Sequence, residues 1–293
     1  MKTYRFWLRL FGVAVLALSI VAVFFASNFA SRWTYAILHP SGKPATGEFL
    51  IAKNIPFEEI TLTTKDGVKL AAWYTPPQNN AVILIAHGYN DNRPESLYAM
   101  FVERGYGVVA WDARAHGDSE GDMTTFGYYE QLDVKSALDF ALAQTGVEHV
   151  GAWGGSMGAA TVILTAAEQP QIEAVVADSA YPTLKDVLRF NMPIQLLQPF
   201  VLFYGEYHSG VDFDDVNPAV VISKISPRPV FIIDGWEGGA IAMNSPYRLF
   251  DAAQEPKQIW VEDGVPHLGM YAHNPKRYEN KVIGIFDMYL LNK

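Results

Sequence analysis

With 293 residues, half of them hydrophobic, the chain is long enough for a membrane segment and one α/β domain of ordinary size. Its net charge of -9 argues against nucleic acid as a partner, because nucleic-acid-binding domains are usually basic. The absence of cysteine excludes disulfides, thiolate–zinc sites and a cysteine nucleophile.

Lys2, Arg5 and Arg9 precede an uncharged run, 10–31, which Arg32 closes. About 20 apolar residues suffice to cross a bilayer, and Trp7 and Trp33 bracket the run where interfacial aromatics are expected. A cleaved signal peptide has a shorter apolar region and ends in an Ala-x-Ala-like site. Here Phe24 and Asn28 stand two positions before Ala26 and Ala30, so 1–32 reads as a retained single-pass anchor. The early positive charges predict a cytoplasmic N-terminus and an extracytoplasmic remainder. Turn-forming residues from Ser41 to Gly47 mark 33–56 as a linker.

Phe57 to Thr63 and Val68 to Tyr74 read as a hairpin turned at Asp66-Gly67. Short apolar runs then alternate with helical patterns: Ala81 to Ala86, Val108 to Trp111, Val147 to Trp153, Ile172 to Ala177, Val230 to Ile233 and Gln258 to Val261 are the strands. This alternation over 57–293 predicts an α/β fold, a mostly parallel central sheet with helices on both faces. The rhythm breaks between Asp178 and Pro227. Leu184 to Tyr207 is rich in Leu, Phe, Met, Pro and Tyr, and 183–217 reads as a short helical cap giving an apolar pocket. Such an insertion sits at the carboxyl ends of the strands, where ligands bind in open α/β sheets.

Gly154-Gly155-Ser156-Met157-Gly158 fits Gly-x-Ser-x-Gly, with a strand pattern before it and a helix pattern after it. In that context the serine sits on a strained turn that lifts its hydroxyl out of the sheet. A serine hydroxyl needs a base. His267, in the loop after the strand ending at Val261, can reach back to Ser156, whereas His273 beside Asn274-Pro275 reads as the cap of the last helix. An oxyanion hole needs two backbone N–H donors. Met157, just after the nucleophile, and Tyr89, in the loop after Ala81 to Ala86, are the expected pair. His87 and His116 read as structural, with Arg114, His116 and Asp118 tying one loop together. The histidines show no His-x-x-x-His spacing, so neither a metal nor a cofactor is expected.

His87-Gly88-Tyr89, Asp112-x-Arg114-x-His116-Gly117-x-Ser119, Gly154-x-Ser156-x-Gly158, Asp178-Ser179-Ala180-Tyr181 and the late His267 together resemble the α/β-hydrolase superfamily. The similarity is to membrane-anchored bacterial members related to serine aminopeptidase-like and acyl-thioesterase-like hydrolases. It implies the α/β-hydrolase fold and a Ser–His–acid triad, and leaves the substrate open. One departure stands out. Such families carry His-Gly-x-x-Asp after the strand equivalent to Val230 to Ile233, and here the chain reads Asp234-Gly235-Trp236-Glu237-Gly238. Gly238 therefore occupies the acid's position. Glu237, one residue early but longer, is the first candidate for the acid. Asp178 is the alternative, ahead of Asp234 and Asp263. The expected activity is hydrolysis of carboxylic esters or thioesters with an apolar acyl or alkyl part, on a small-molecule or lipid-like substrate near the membrane. The rival readings are a peptidase or amidase of the same fold, and a membrane-tethered pseudohydrolase that binds a lipid or protein without turnover.

Overall fold

The computed structural model describes residues 2–192, 194–237 and 244–292. In chain order they form α1 (Lys2–Leu38), α2 (Glu48–Ala52), β1 (Glu58–Thr63), β2 (Lys69–Thr75), β3 (Ala81–Ala86), α3 (Glu95–Val102), β4 (Gly107–Trp111) and α4 (Glu130–Leu142). There follow β5 (His149–Gly155), α5 (Met157–Glu168), β6 (Ala174–Asp178), α6 (Leu184–Asn191), α7 (Gln198–Ser209) and α8 (Pro218–Val221). The chain closes with β7 (Val230–Trp236), α9 (Ser245–Ala252), β8 (Lys257–Asp263), α10 (Met270–His273) and α11 (Pro275–Phe286).

Among the described residues eight strands make one sheet in the order β1-β2-β4-β3-β5-β6-β7-β8. β1 and β2 form the expected hairpin, with Thr63 opposite Lys69, and β2 runs antiparallel to β4. All the remaining pairings are parallel. Strands buried on both faces read as unbroken apolar runs, and β3 is buried at every position. Ile83 and Ile85 enter one core with α3 and α11, while Val82 and Leu84 enter the opposite core with α4 and α5. The carboxyl ends of β3, β5, β6 and β7 thus open side by side on one edge, and α6 and α7 lie in the expected cap region.

The N-terminal helix is longer than expected. It is long and apolar enough to cross a membrane, but it continues past Arg32 to Leu38, and the expected linker also holds α2. No helix breaker stands before Pro40, and the added turns have an apolar surface to bury. Ala30, Thr34 and Leu38 are buried. Ala30 and Leu38 join the core cluster formed by cap residues such as Leu184, Leu188 and Val201.

Candidate active site

Ser156 lies between β5 and α5 with φ 52° and ψ -112°, a strained region for a residue with a Cβ. Its neighbours enforce that backbone. The Ser156 N–H donates to the Asp178 carbonyl at 2.8 Å, and a Cβ on Gly158 would stand 2.1 Å from the Ala86 carbonyl oxygen. Only glycine lets α5 start this close to β3. Two further residues at the site have positive φ, Ser179 (59°) and Leu268 (57°).

His267 reaches Ser156 from the loop after β8. Its Nε2 is 2.9 Å from Ser156 Oγ. The loop rests on the end of β7, where a Cβ on Gly235 would meet the Val265 and Pro266 carbonyl oxygens at 2.4 and 2.6 Å. Desolvation holds the imidazole below its ordinary pKa of 6.5, so it is neutral and able to accept a proton at pH 7.

Met157 N–H opens α5, and Tyr89 borders the same cavity as Ser156. Among the described residues no hydrogen bond uses either N–H. His87 explains how the Tyr89 N–H is aimed. His87 is buried, its Nδ1 donates to the Gly88 carbonyl at 2.7 Å, and its Nε2 accepts from the Ala113 N–H at 2.8 Å. Burial drives its pKa down to about 3, so the ring is neutral. A trans peptide points its C=O and N–H in opposite directions; anchoring the Gly88 carbonyl therefore turns the Tyr89 N–H away from His87. His116 is also structural, its Nε2 accepting from the Asn90 N–H and its Nδ1 bonding the Arg114 carbonyl. Arg114 itself pairs with Asp66 and Asp133. Asp118 pairs instead with Arg93, beside Asp112.

The carboxylates are distributed as follows. Glu237 is exposed just past β7, and Gly238 lies outside the described residues. Asp263 is exposed at the end of β8. Asp178 is buried, and both its oxygens are engaged: Tyr278 Oη donates to Oδ2 at 2.7 Å and Ser179 Oγ donates to Oδ1 at 2.9 Å. Ser179 Oγ in turn accepts the Leu268 N–H at 3.1 Å. Asp178 thus grips the backbone beside His267 rather than its ring. Asp234 is buried against the cavity that Ser156 lines, with Oδ1 free of any hydrogen bond among the described residues. Burial raises Asp178 to about 6, and burial plus the Asp178 charge raises Asp234 to about 8. Both carboxyls are thus held above their ordinary range, Asp234 further than Asp178. Among the described residues no hydrogen bond joins a carboxylate to His267.

The cavity above Ser156 and His267 has a volume of about 510 Å³. The cap contributes Val187, Leu188, Phe190 and Asn191, and Tyr89, Phe126 and Tyr181 close another side. Sequence reasoning missed two wall residues, Trp33 and Ile37, both on α1. The sequence places Trp33 at the membrane interface; its spacing from Ile37, one helical turn, is the signal that both share one face. The Ser179–Leu268 link and Tyr278 were also missed.

Comparison with known proteins agrees with this architecture. A family model described as X-Pro dipeptidyl-peptidase (S15 family) matches residues 66–193, which include Ser156 and stop short of His267. The Bacillus subtilis (strain 168) protein YqkD is 28% identical over 233 residues, covering 75% of this chain and 76% of its own length. Mouse lysophosphatidylserine lipase ABHD12 is 27% identical over 188 residues, covering 54% of this chain and 44% of its own. Among solved structures, the Pyrococcus furiosus esterase Pf2001 superposes with a TM-score of 0.72 at 24% identity, covering 86% of this chain and 99% of the esterase.

Proposed function

We propose that this member of the α/β-hydrolase superfamily is a serine hydrolase that cleaves carboxylic esters with an apolar acyl or alkyl part. The observation that carries the reading is the 2.9 Å contact between Ser156 Oγ and His267 Nε2 on the floor of an apolar cavity. Ser156 Oγ attacks the ester carbonyl carbon while His267 Nε2 takes its proton. The carbonyl oxygen becomes an oxyanion, held by the Met157 and Tyr89 N–H groups. Collapse of the tetrahedral intermediate breaks the bond to the alcohol oxygen, which leaves with the proton from His267. Water, deprotonated by His267, then attacks the acyl-serine; a second collapse releases the carboxylic acid and returns the proton to Ser156. A thioester follows the same course with a thiol leaving.

For the acid we retain Glu237. It follows the strand end whose Gly235 touches the His267 loop, and Asp178 is already committed to Tyr278 and Ser179. The α1 helix acts as a retained membrane anchor in this reading. Its support is that α1 contributes Trp33 and Ile37 to the cavity wall, so removing it would open the site. The charges at Lys2, Arg5 and Arg9 favour an extracytoplasmic catalytic domain.

Peptide hydrolysis is the second reading, favoured by the match to the S15 family model. A substrate panel on the full-length protein separates the two. We expect p-nitrophenyl butyrate to be hydrolysed and an X-Pro p-nitroanilide to be left intact. Glu237→Gln is expected to lower kcat on the butyrate by roughly 10²–10⁴-fold, as for an acid that orients and charges the imidazole. Turnover of the anilide alone would reverse the assignment.

A further inference from the structure

We propose that the apolar face of the cap is immersed in the bilayer, and that the substrate is a membrane-resident lipid ester reaching Ser156 laterally along α1. The inference rests on the hydrolase and membrane-anchor readings above. Its starting point is how α1 meets α7. Ser27 pairs with Tyr204, and Ser31 pairs with His208 at 3.0 Å. Both partners advance by one helical turn, so the two helices run parallel here. Continuing the register back one turn brings Phe200, near the start of α7, level with Val23. At 1.5 Å per residue Val23 lies about 13 Å along α1 from Arg32, inside the run that would cross the hydrocarbon. If α1 spans the bilayer, the start of α7 must therefore enter it.

The cap surface has the composition this requires. Residues 190–205 contain no charged side chain. Leu196 is 81% exposed and Phe203 61% exposed, and Phe190, Ile194 and Tyr207 are also exposed. A soluble protein rarely leaves so many large apolar side chains of one short segment in water. The polar groups at the helix contact are meanwhile paired with one another, as hydrocarbon surroundings demand. A shallow groove along α1, formed by Phe24, Phe25, Asn28, Phe29, Arg32 and Trp33, leads from the bilayer level to Trp33. Trp33 is also a wall of the catalytic cavity. An acyl chain lying in the groove would thus pass Trp33 on its way to Ser156.

The test uses the full-length protein reconstituted in phosphatidylcholine vesicles. Because the chain has no cysteine, Leu196→Cys, Phe203→Cys and, as a control, Lys135→Cys on α4 each carry one fluorescent label. Lipids brominated in the acyl chain are expected to quench the labels at 196 and 203 at least threefold more than the label at 135. The double variant Leu196→Asp/Phe203→Asp is expected to keep hydrolysis of water-soluble p-nitrophenyl acetate within twofold of the parent. Its hydrolysis of a long-chain monoacylglycerol dissolved in the vesicles should fall at least tenfold. Labels at 196 and 203 as weakly quenched as that at 135, or equal effects of the double variant on both substrates, would overturn the proposal. A parent protein inert on the acetate would instead overturn the hydrolase reading, and the proposed substrate with it, while the quenching still decides whether the cap is immersed.

Discussion

His267→Ala is expected to lower ester hydrolysis by roughly 10⁴–10⁶-fold in kcat, the scale seen when the base of a serine triad is removed. The variant should stay folded, because His267 lies at the exposed mouth of the site and truncating a surface side chain usually changes stability by about 0.5 kcal/mol or less. The same residue sets the pH profile of the parent. Only the neutral imidazole can accept the Ser156 proton, so activity falls as pH drops through the pKa of His267. Desolvation lowers that pKa, whereas an ionised Glu237 beside the ring would raise it, so the midpoint of the kcat/KM profile reports the balance of the two. A midpoint above 7 would mean that an ionised carboxylate sits on the imidazole and stabilises its charged form. In that case Glu237→Gln should bring the midpoint back down.

Asp178→Ala is expected to cost about 2–6 kcal/mol of stability, because it strands two buried donors, the Tyr278 and Ser179 hydroxyls, at about 1–3 kcal/mol each. It also releases the link from Ser179 to the Leu268 N–H. The loop carrying His267 then loses a tether, and kcat should fall more than KM rises. Chemical denaturation at several pH values gives the matching stability readout. Asp178 and Asp234 have folded-state pKa values raised from 3.8 to about 6 and about 8. Between the unfolded and folded pKa values the unfolded chain holds fewer protons, so stability declines as pH rises. In the parent this decline runs against His87, whose folded pKa of about 3 adds stability as pH rises towards 6.5, so the Asp178 share is read from the difference between parent and Asp178→Ala, which should shrink from about pH 4 to pH 6. A difference between parent and Asp178→Ala that fails to shrink over this window would contradict the raised pKa of the buried Asp178.

The parts of the site written in local sequence were legible there. Ser156 is marked by its own flanking glycines and by the strand and helix on either side, and the sheet by its buried apolar runs. His267 was found because a loop after the last strand must lie at the carboxyl edge. The parts that depend on distant packing were not legible. Trp33 and Ile37 enter the cavity only because α7, more than 150 residues later, binds α1 through Tyr204 and His208. Asp178 is oriented by Tyr278, a hundred residues away, which also accepts from Trp153 Nε1 at 2.8 Å. No spacing rule encodes such contacts. His87 read correctly as structural, but its hold on the Gly88 carbonyl, and so on the direction of the Tyr89 N–H, needed the fold.

Fluorophosphonate labelling of the full-length protein, followed by peptide mapping, tests the central claim most directly. An activated serine attacks phosphorus as it attacks an ester carbonyl, without requiring the natural substrate. We expect a single phosphonylated residue, Ser156, with no labelling in Ser156→Ala and labelling slowed at least a hundredfold in His267→Ala. A folded protein that takes no label, or takes it at another residue, would contradict it.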